Sequence, residues 1–199
     1  MPDHHFPYRS LIGLLWLAWI LYWGISAVDA KRTQRRESRA SRAAHVLPLV
    51  IGAGLLGWHV WGQWLEQRLW PRSLSLYWLG VALIVAGLAF AIWARMHLGR
   101  NWSGSVTVKE AHELIRSGPY GWVRHPIYTG LISAVLGTAI ASGTLRAALG
   151  FLIIALALLR KLRTEERFMQ ETFPDEYPHY RATVPALIPL TALRRSAPR

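Results

Sequence analysis

At 199 residues the chain has the length of one domain; it is 52% hydrophobic, with eleven tryptophans and no cysteine. The missing cysteine excludes disulfides, thiolate nucleophiles and cysteine-ligated metals or clusters. A formal charge of +12 does not point to nucleic acid here, because the lysines and arginines lie between long apolar runs, as in the cytoplasmic loops of a membrane protein.

Residues 11–28 form an uncharged run of 18, long enough to span a bilayer, and the basic segment directly after it argues against a cleaved signal peptide. Trp16, Trp19 and Trp23 recur at spacings of three and four, a one-sided stripe for packing or lipid contact. Residues 31–42 carry six basic side chains and read as a cytoplasmic loop or surface helix. Residues 46–65 read as a second span, with Gly52, Gly54 and Gly57 offering a close helix contact and His59 in an aromatic belt near its outer end. Residues 74–94 are a third.

Residues 126–159 are apolar apart from Ser142, Gly143, Thr144 and Arg146. One crossing needs about 20 residues and two need about 40, so a short hairpin with its tip at 142–144 is predicted. Gly130, Ala134, Gly137 and Ala141 give its first arm a face of small residues. Residues 160–173 continue the last helix as a charged segment that Pro174 ends, and the tail 175–189 folds back over the same surface.

The fold class is therefore an all-α integral membrane protein of about five transmembrane helices, with residues 1–95 supplying three and residues 96–199 forming a catalytic region. With the N-terminus outside, four basic residues lie outside and nineteen inside, so the C-terminus is cytoplasmic. The alanine- and arginine-rich composition points to a bacterial inner membrane.

Residues 118–128 concentrate the chemistry. Pro119 and Pro126 hold Gly118 and His125 out of helical geometry, and Pro126 opens the helix that follows. Arg124, His125 and Tyr128 then stand at a helix N-terminus, where free N–H groups and the helix dipole favour an anion. The eight histidines include no metal-binding pair on one helix, so no metal is expected.

A longer set of residues joins this stretch: His112, Glu113, Leu114 and Ile115; Ser117, Gly118, Pro119 and Tyr120; Arg124, His125, Pro126, Ile127, Tyr128 and Gly130; Glu165 and Glu166; then Phe173, Glu176, Tyr177, Tyr180, Val184, Pro185 and Pro189. In order and spacing these resemble the isoprenylcysteine carboxyl methyltransferases and the related phospholipid N-methyltransferases, over about half the chain. The resemblance implies an integral-membrane enzyme that uses S-adenosylmethionine and releases S-adenosylhomocysteine. It implies cofactor contacts at His112, Glu113, Leu114, Ile115, Tyr120, His125, Pro126, Ile127, Tyr128 and Glu166, with the C-terminal tail enclosing the cofactor.

Those roles suit the residues. A cofactor carboxylate fits the helix start at Pro126 beside Arg124 or His125. The sulfonium suits the face of Tyr120 or Tyr128, and Glu166 can accept from ribose hydroxyls or the ammonium. Neighbouring helical residues point about 100° apart, so the two acids are not expected to serve one atom, and Glu165 is assigned to the substrate side or to a structural pair. The family's substrate-carboxylate arginine falls here on Leu162, which makes Arg163 or Arg160 the substitute. The acceptor is expected to be a lipid-like molecule entering from the bilayer, with carboxylate O-methylation favoured and nitrogen or sulfur acceptance open. Two rivals share features of the sequence: a sterol-reductase-like enzyme using NADPH, and a non-catalytic membrane binding module.

Overall fold

The computed structural model describes residues 8–26, 33–36, 39–57, 63–99, 107–109 and 114–188. Among them the chain is predominantly helical. Its helices are α1 (Tyr8–Ser26), α2 (Arg39–Gly57), α3 (Leu74–Leu98), α4 (Pro126–Ser142), α5 (Leu145–Thr172) and the short α6 (Glu176–Thr183). His59 lies outside the described residues. A two-stranded antiparallel ribbon joins β1 (Thr33–Arg36) to β2 (Thr107–Lys109), with Thr33 opposite Lys109 and Arg36 opposite Thr107. The basic segment 31–42 is thus divided between a strand and the start of α2, which begins seven residues before the expected second span and ends earlier, at Gly57.

The first five helices alternate in direction and pack in the order α1, α3, α4, α5, α2. Near one end, Arg95 of α3 donates to the Ser26 carbonyl at the end of α1 and to that of Gly99, at 2.8 Å. Near the other, buried Arg146 of α5 donates to the carbonyls of Leu55 and Leu56 and pairs with Glu66 at 3.0 Å. The hairpin tip falls where its length predicts. Gly143, at φ +66°, closes α4, and Thr144 caps α5 by accepting from the Ala147 N–H.

The small-residue face of α4 has a matching partner on α3. Gly87 faces Gly130 and Gly80 faces Gly137, an antiparallel register in which a Cβ on any of the four would meet the opposing backbone closer than 3.0 Å. Backbones this close exclude larger side chains, so the seam fixes how α3 and α4 dock. Gly52 makes a comparable contact with Gly150 and Ile154, whereas Gly54 and Gly57 have open space beside them. Trp16 and Trp19 pack against Ile84, Leu88 and Ala134, and the Trp16 indole donates to Thr138 Oγ1 at 3.0 Å.

The outward faces are apolar. Leu17 and Leu21 on α1, Leu47 and Val50 on α2, and Leu152 and Leu156 on α5 are all more than half exposed. Apolar surface on that scale suits a lipid environment. Among the described residues one helix, Leu74–Leu98, is long and apolar enough to cross a membrane by itself; Leu11–Ser26, Arg42–Gly57 and Pro126–Ser142 are shorter apolar helices.

Candidate active site

Gly118–Gly121 forms a tight 3-10 turn ahead of α4. Gly118 takes φ +58°, and a Cβ there would strike the His97 ring at 2.8 Å, so both its conformation and its space require glycine. His97 Nε2 lies 2.9 Å from Ser117 Oγ, mooring the turn to the end of α3. Pro119, Val123 and Pro126 are fully buried beneath it. Pro126 occupies the first turn of α4 and His125 the N-cap, as the two prolines dictate.

That geometry holds the His125 imidazole between two carboxylates. Its Nε2 lies 3.3 Å from Glu166 Oε1 and its Nδ1 3.8 Å from Glu165 Oε2. The acids are successive on α5, and their angular separation puts them on opposite sides of one ring. The Tyr128 ring stacks on His125 at 5.6 Å, and its hydroxyl donates to Glu165.

Glu166 is the more constrained acid. Its Oε1 accepts from Arg124 Nε at 3.0 Å, Arg124 Nη2 at 2.5 Å and His125. Burial pushes this carboxyl up, but hydrogen bonds from His125 and Arg124, together with their charge, outweigh burial and hold it at about 2. Glu166 is therefore ionised at every physiological pH.

Arg124 is placed differently from the expectation that it meets a cofactor carboxylate. Its remaining nitrogen donates to the Arg181 carbonyl at 3.1 Å and to that of Val184. With its side chain 8% exposed, the guanidinium is occupied in joining α5 to the tail. The backbone N–H groups of Arg124 and His125 are occupied as well, donating to Pro185 and Ala186 at 2.9 and 3.0 Å. Thr129 Oγ1 donates to the Leu187 carbonyl at 2.8 Å, and the Tyr180 hydroxyl to the Tyr120 carbonyl at 2.6 Å. Residues 184–187 thus lie as a strap across the start of α4. Among the first N–H groups of α4 they leave those of Ile127 and Tyr128 without an intrahelical acceptor.

The opposite side of His125 is lined by α4 and α5. There Arg160 and Arg163 are both exposed, and Leu162 is buried in the core. The base that faces the site is Lys161. Its Nζ is 4.0 Å from Glu165 and 5.6 Å from the centre of the Tyr128 ring. The signal was present in the sequence, because Lys161 precedes Glu165 by four residues and so shares its helix face. Tyr128 also belongs to an apolar cluster with Val135, Ile154, Leu158 and Leu162, so this side of the site grades into the hairpin interior.

Of the other expected contacts, Leu114 and Ile115 are half-buried just before the turn, Ile127 packs on the apolar cluster, and Tyr120 is buried. Burial first, then the negative charge of Glu165, raises the Tyr120 phenol above its ordinary value. His112 and Glu113 lie outside the described residues. Tyr177 was not singled out from sequence as a site residue. Its side chain is 2% exposed, beside the Arg124–Glu166 pair. Burial and then the charge of Glu166 push this phenol up to about 12.

Residues 79–171 match the model of the isoprenylcysteine carboxyl methyltransferase (ICMT) family, a span that runs from α3 through the hairpin to the foot of α5. The chain is 32% identical over 153 residues to the cobalt-zinc-cadmium resistance protein CzcN of Cupriavidus metallidurans, covering 75% of this chain and 63% of that protein. It is 35% identical over 100 residues to the protein-S-isoprenylcysteine O-methyltransferase of Schizosaccharomyces pombe, covering 49% and 42%. To the human protein-S-isoprenylcysteine O-methyltransferase it is 29% identical over 132 residues, covering 63% and 46%. The chain therefore spans less than two thirds of the length of each of these relatives.

Proposed function

We propose that this chain, which belongs to the isoprenylcysteine carboxyl methyltransferase family, is an integral-membrane methyltransferase that moves a methyl group from S-adenosylmethionine to a lipid-like acceptor, a carboxylate oxygen being favoured. One observation carries the reading: two successive carboxylates stand on opposite nitrogens of a single imidazole, one on a strapped polar side and one on the apolar hairpin side. A reaction between a polar nucleoside and an amphiphile needs two such compartments meeting at one point.

The residues present fit the cofactor. Glu166 is a half-buried, ionised carboxylate, suited to ribose hydroxyls or an ammonium. The stacked His125 and Tyr128 rings, with Tyr120, offer aromatic faces for a sulfonium. By the family resemblance His112, Glu113, Leu114 and Ile115 belong to the same side. S-adenosylmethionine supplies a methyl carbon already activated by its positive sulfur. The protein's work is alignment and exclusion of water, which the strap and the buried proline turn support. A carboxylate acceptor requires no general base, so no proton need move at Glu165. Lys161 takes the anionic head group beside Tyr128, and the apolar cluster takes the chain. Five alternating spans, an outer N-terminus and a cytoplasmic site are the topology that accompanies this reading.

The test is transfer of tritiated methyl from S-adenosylmethionine to N-acetyl-S-farnesylcysteine by protein in lipid nanodiscs. Labelled ester is the expected product. Equal turnover of a water-soluble carboxylate without a chain would overturn the lipid-like acceptor.

A further inference from the structure

The outward face of α3 is one apolar stripe. Trp78, Ala82, Val85, Ala89, Trp93 and Met96 recur along it at spacings of three and four, and all are exposed. This is the helix long and apolar enough to cross a membrane, and its residues 79–89 include no aromatic. Its rings stand only towards the two ends, Tyr77 and Trp78 near the start and Phe90 and Trp93 near the finish. At the finish a third ring joins from outside the helix. Trp122, which closes the Gly118–Gly121 turn, lies edge-to-face with Trp93 at 5.4 Å and stacked on Phe90 at 6.3 Å. Phe90 and Trp93 themselves meet at 5.9 Å. Although clustered, Trp93 and Trp122 remain 41% and 55% exposed.

The middle of the stripe is small and aliphatic, which suits acyl chains. An indole has an apolar body and one N–H donor, and tryptophan gathers where chains give way to headgroups. Beyond the three rings the surface turns polar and basic, with His97 exposed and Arg116 half exposed. Aliphatic, then aromatic, then basic is the order of a bilayer leaflet from its core outward. We infer that Phe90, Trp93 and Trp122 form a lipid-binding anchor, occupied by phospholipid at the boundary between chains and headgroups. The inference rests on the integral-membrane reading above and extends it to the depth of the site. Trp122 donates its backbone N–H to Pro119 within the turn that carries Tyr120 and leads to His125. Lipid held by the rings therefore fixes where in the leaflet that turn lies.

The chain has no cysteine, so a single introduced cysteine reports on one position. Val85→Cys, Met96→Cys and Arg163→Cys each receive a nitroxide label in vesicles of phosphatidylcholine and phosphatidylglycerol. Collisions with oxygen, which concentrates among the chains, and with a water-soluble nickel chelate give the depth of each label. The account predicts that oxygen dominates at 85, nickel at 163, and that the two are comparable at 96. Brominated phospholipids then test the ring itself, through the emission lost in Trp122→Phe. Bromine near the headgroup should quench that emission about twofold more than bromine near the chain ends. Nickel access at 96 equal to that at 163 overturns the anchor, while oxygen dominance at 85 leaves the membrane reading intact. Exclusion of both collision partners at 96 overturns it too, by showing that protein covers the face. Equal quenching by the two lipids, or none, removes Trp122 from the anchor and overturns the link to the turn. Nickel dominance at 85 removes the membrane reading and this inference with it.

Discussion

Arg124→Met tests the clasp most sharply, because the side chain keeps an unbranched apolar stem and loses every donor. Four hydrogen bonds disappear: two to Glu166 and two to the carbonyls of Arg181 and Val184. Glu166 is then left charged in a pocket where its side chain is 13% exposed. The depression of its pKa from 4.5 to about 2 corresponds to about 3 kcal/mol in favour of the ionised form, part of it due to His125. Breaking a buried pair by removing one partner costs about 3–5 kcal/mol, so about 3 kcal/mol is the expected loss. For a chain of this size that lowers the melting temperature by roughly 6–12 °C. Hydrogen exchange supplies the local readout. The amides at 124 and 125, bonded to Pro185 and Ala186, should lose protection as the strap lifts. The double variant Arg124→Met, Glu166→Met should melt above the single one, since no uncompensated charge remains. A melting temperature within a degree of the parent, with exchange at 124 and 125 unchanged, refutes the clasp.

Three further outcomes follow from the same geometry. Gly87→Leu drives a side chain into the Gly130 backbone and should cost several kcal/mol or prevent folding, read as loss of monodisperse protein, whereas Gly54→Ala, facing open space, should change the melting temperature little. Lys161→Gln should raise the KM for a prenylcysteine acceptor about tenfold without altering cofactor affinity, and Arg160→Gln and Arg163→Gln should leave both unchanged, as steady-state kinetics will measure. For pH, the Glu166 carboxyl is depressed in the folded state, so its stabilisation is fully present above the unfolded value of 4.5 and is lost as pH falls towards 2. Strap protection at 124 and 125 should therefore stay flat from pH 8 to about 5 and decline in acid; a decline between pH 8 and 6 would assign the clasp to another group.

Much of this architecture was legible because it rests on length and spacing. The apolar stretch 126–159 is too long for one helix and too short for two full crossings, which forces a turn at its polar interruption. The small residues of α4 recur on one helical face, so a close seam was readable, although its partners Gly80 and Gly87 carry no separate signal in an apolar run. The ribbon between 33–36 and 107–109 was not legible, because its pairing joins segments more than 70 residues apart and neither alternates. The partners of Arg124 were not legible for a similar reason. A positive residue at a helix start reads as an anion site, and only the folded tail reveals carbonyls waiting for it. Lys161 could have been found from its four-residue spacing to Glu165, which outweighs the attraction of Arg163 and Arg160 by charge alone.

The central claim is that Glu166 and His125 belong to a pocket for an adenosyl methyl donor. Calorimetric titration of S-adenosylmethionine and S-adenosylhomocysteine into detergent-purified protein tests it most directly, beside Glu166→Gln and His125→Ala. The parent should bind both ligands with micromolar affinity, and both variants should lose that binding or weaken it greatly. Folded parent protein that binds neither ligand, or variants that bind as tightly as the parent, would contradict it.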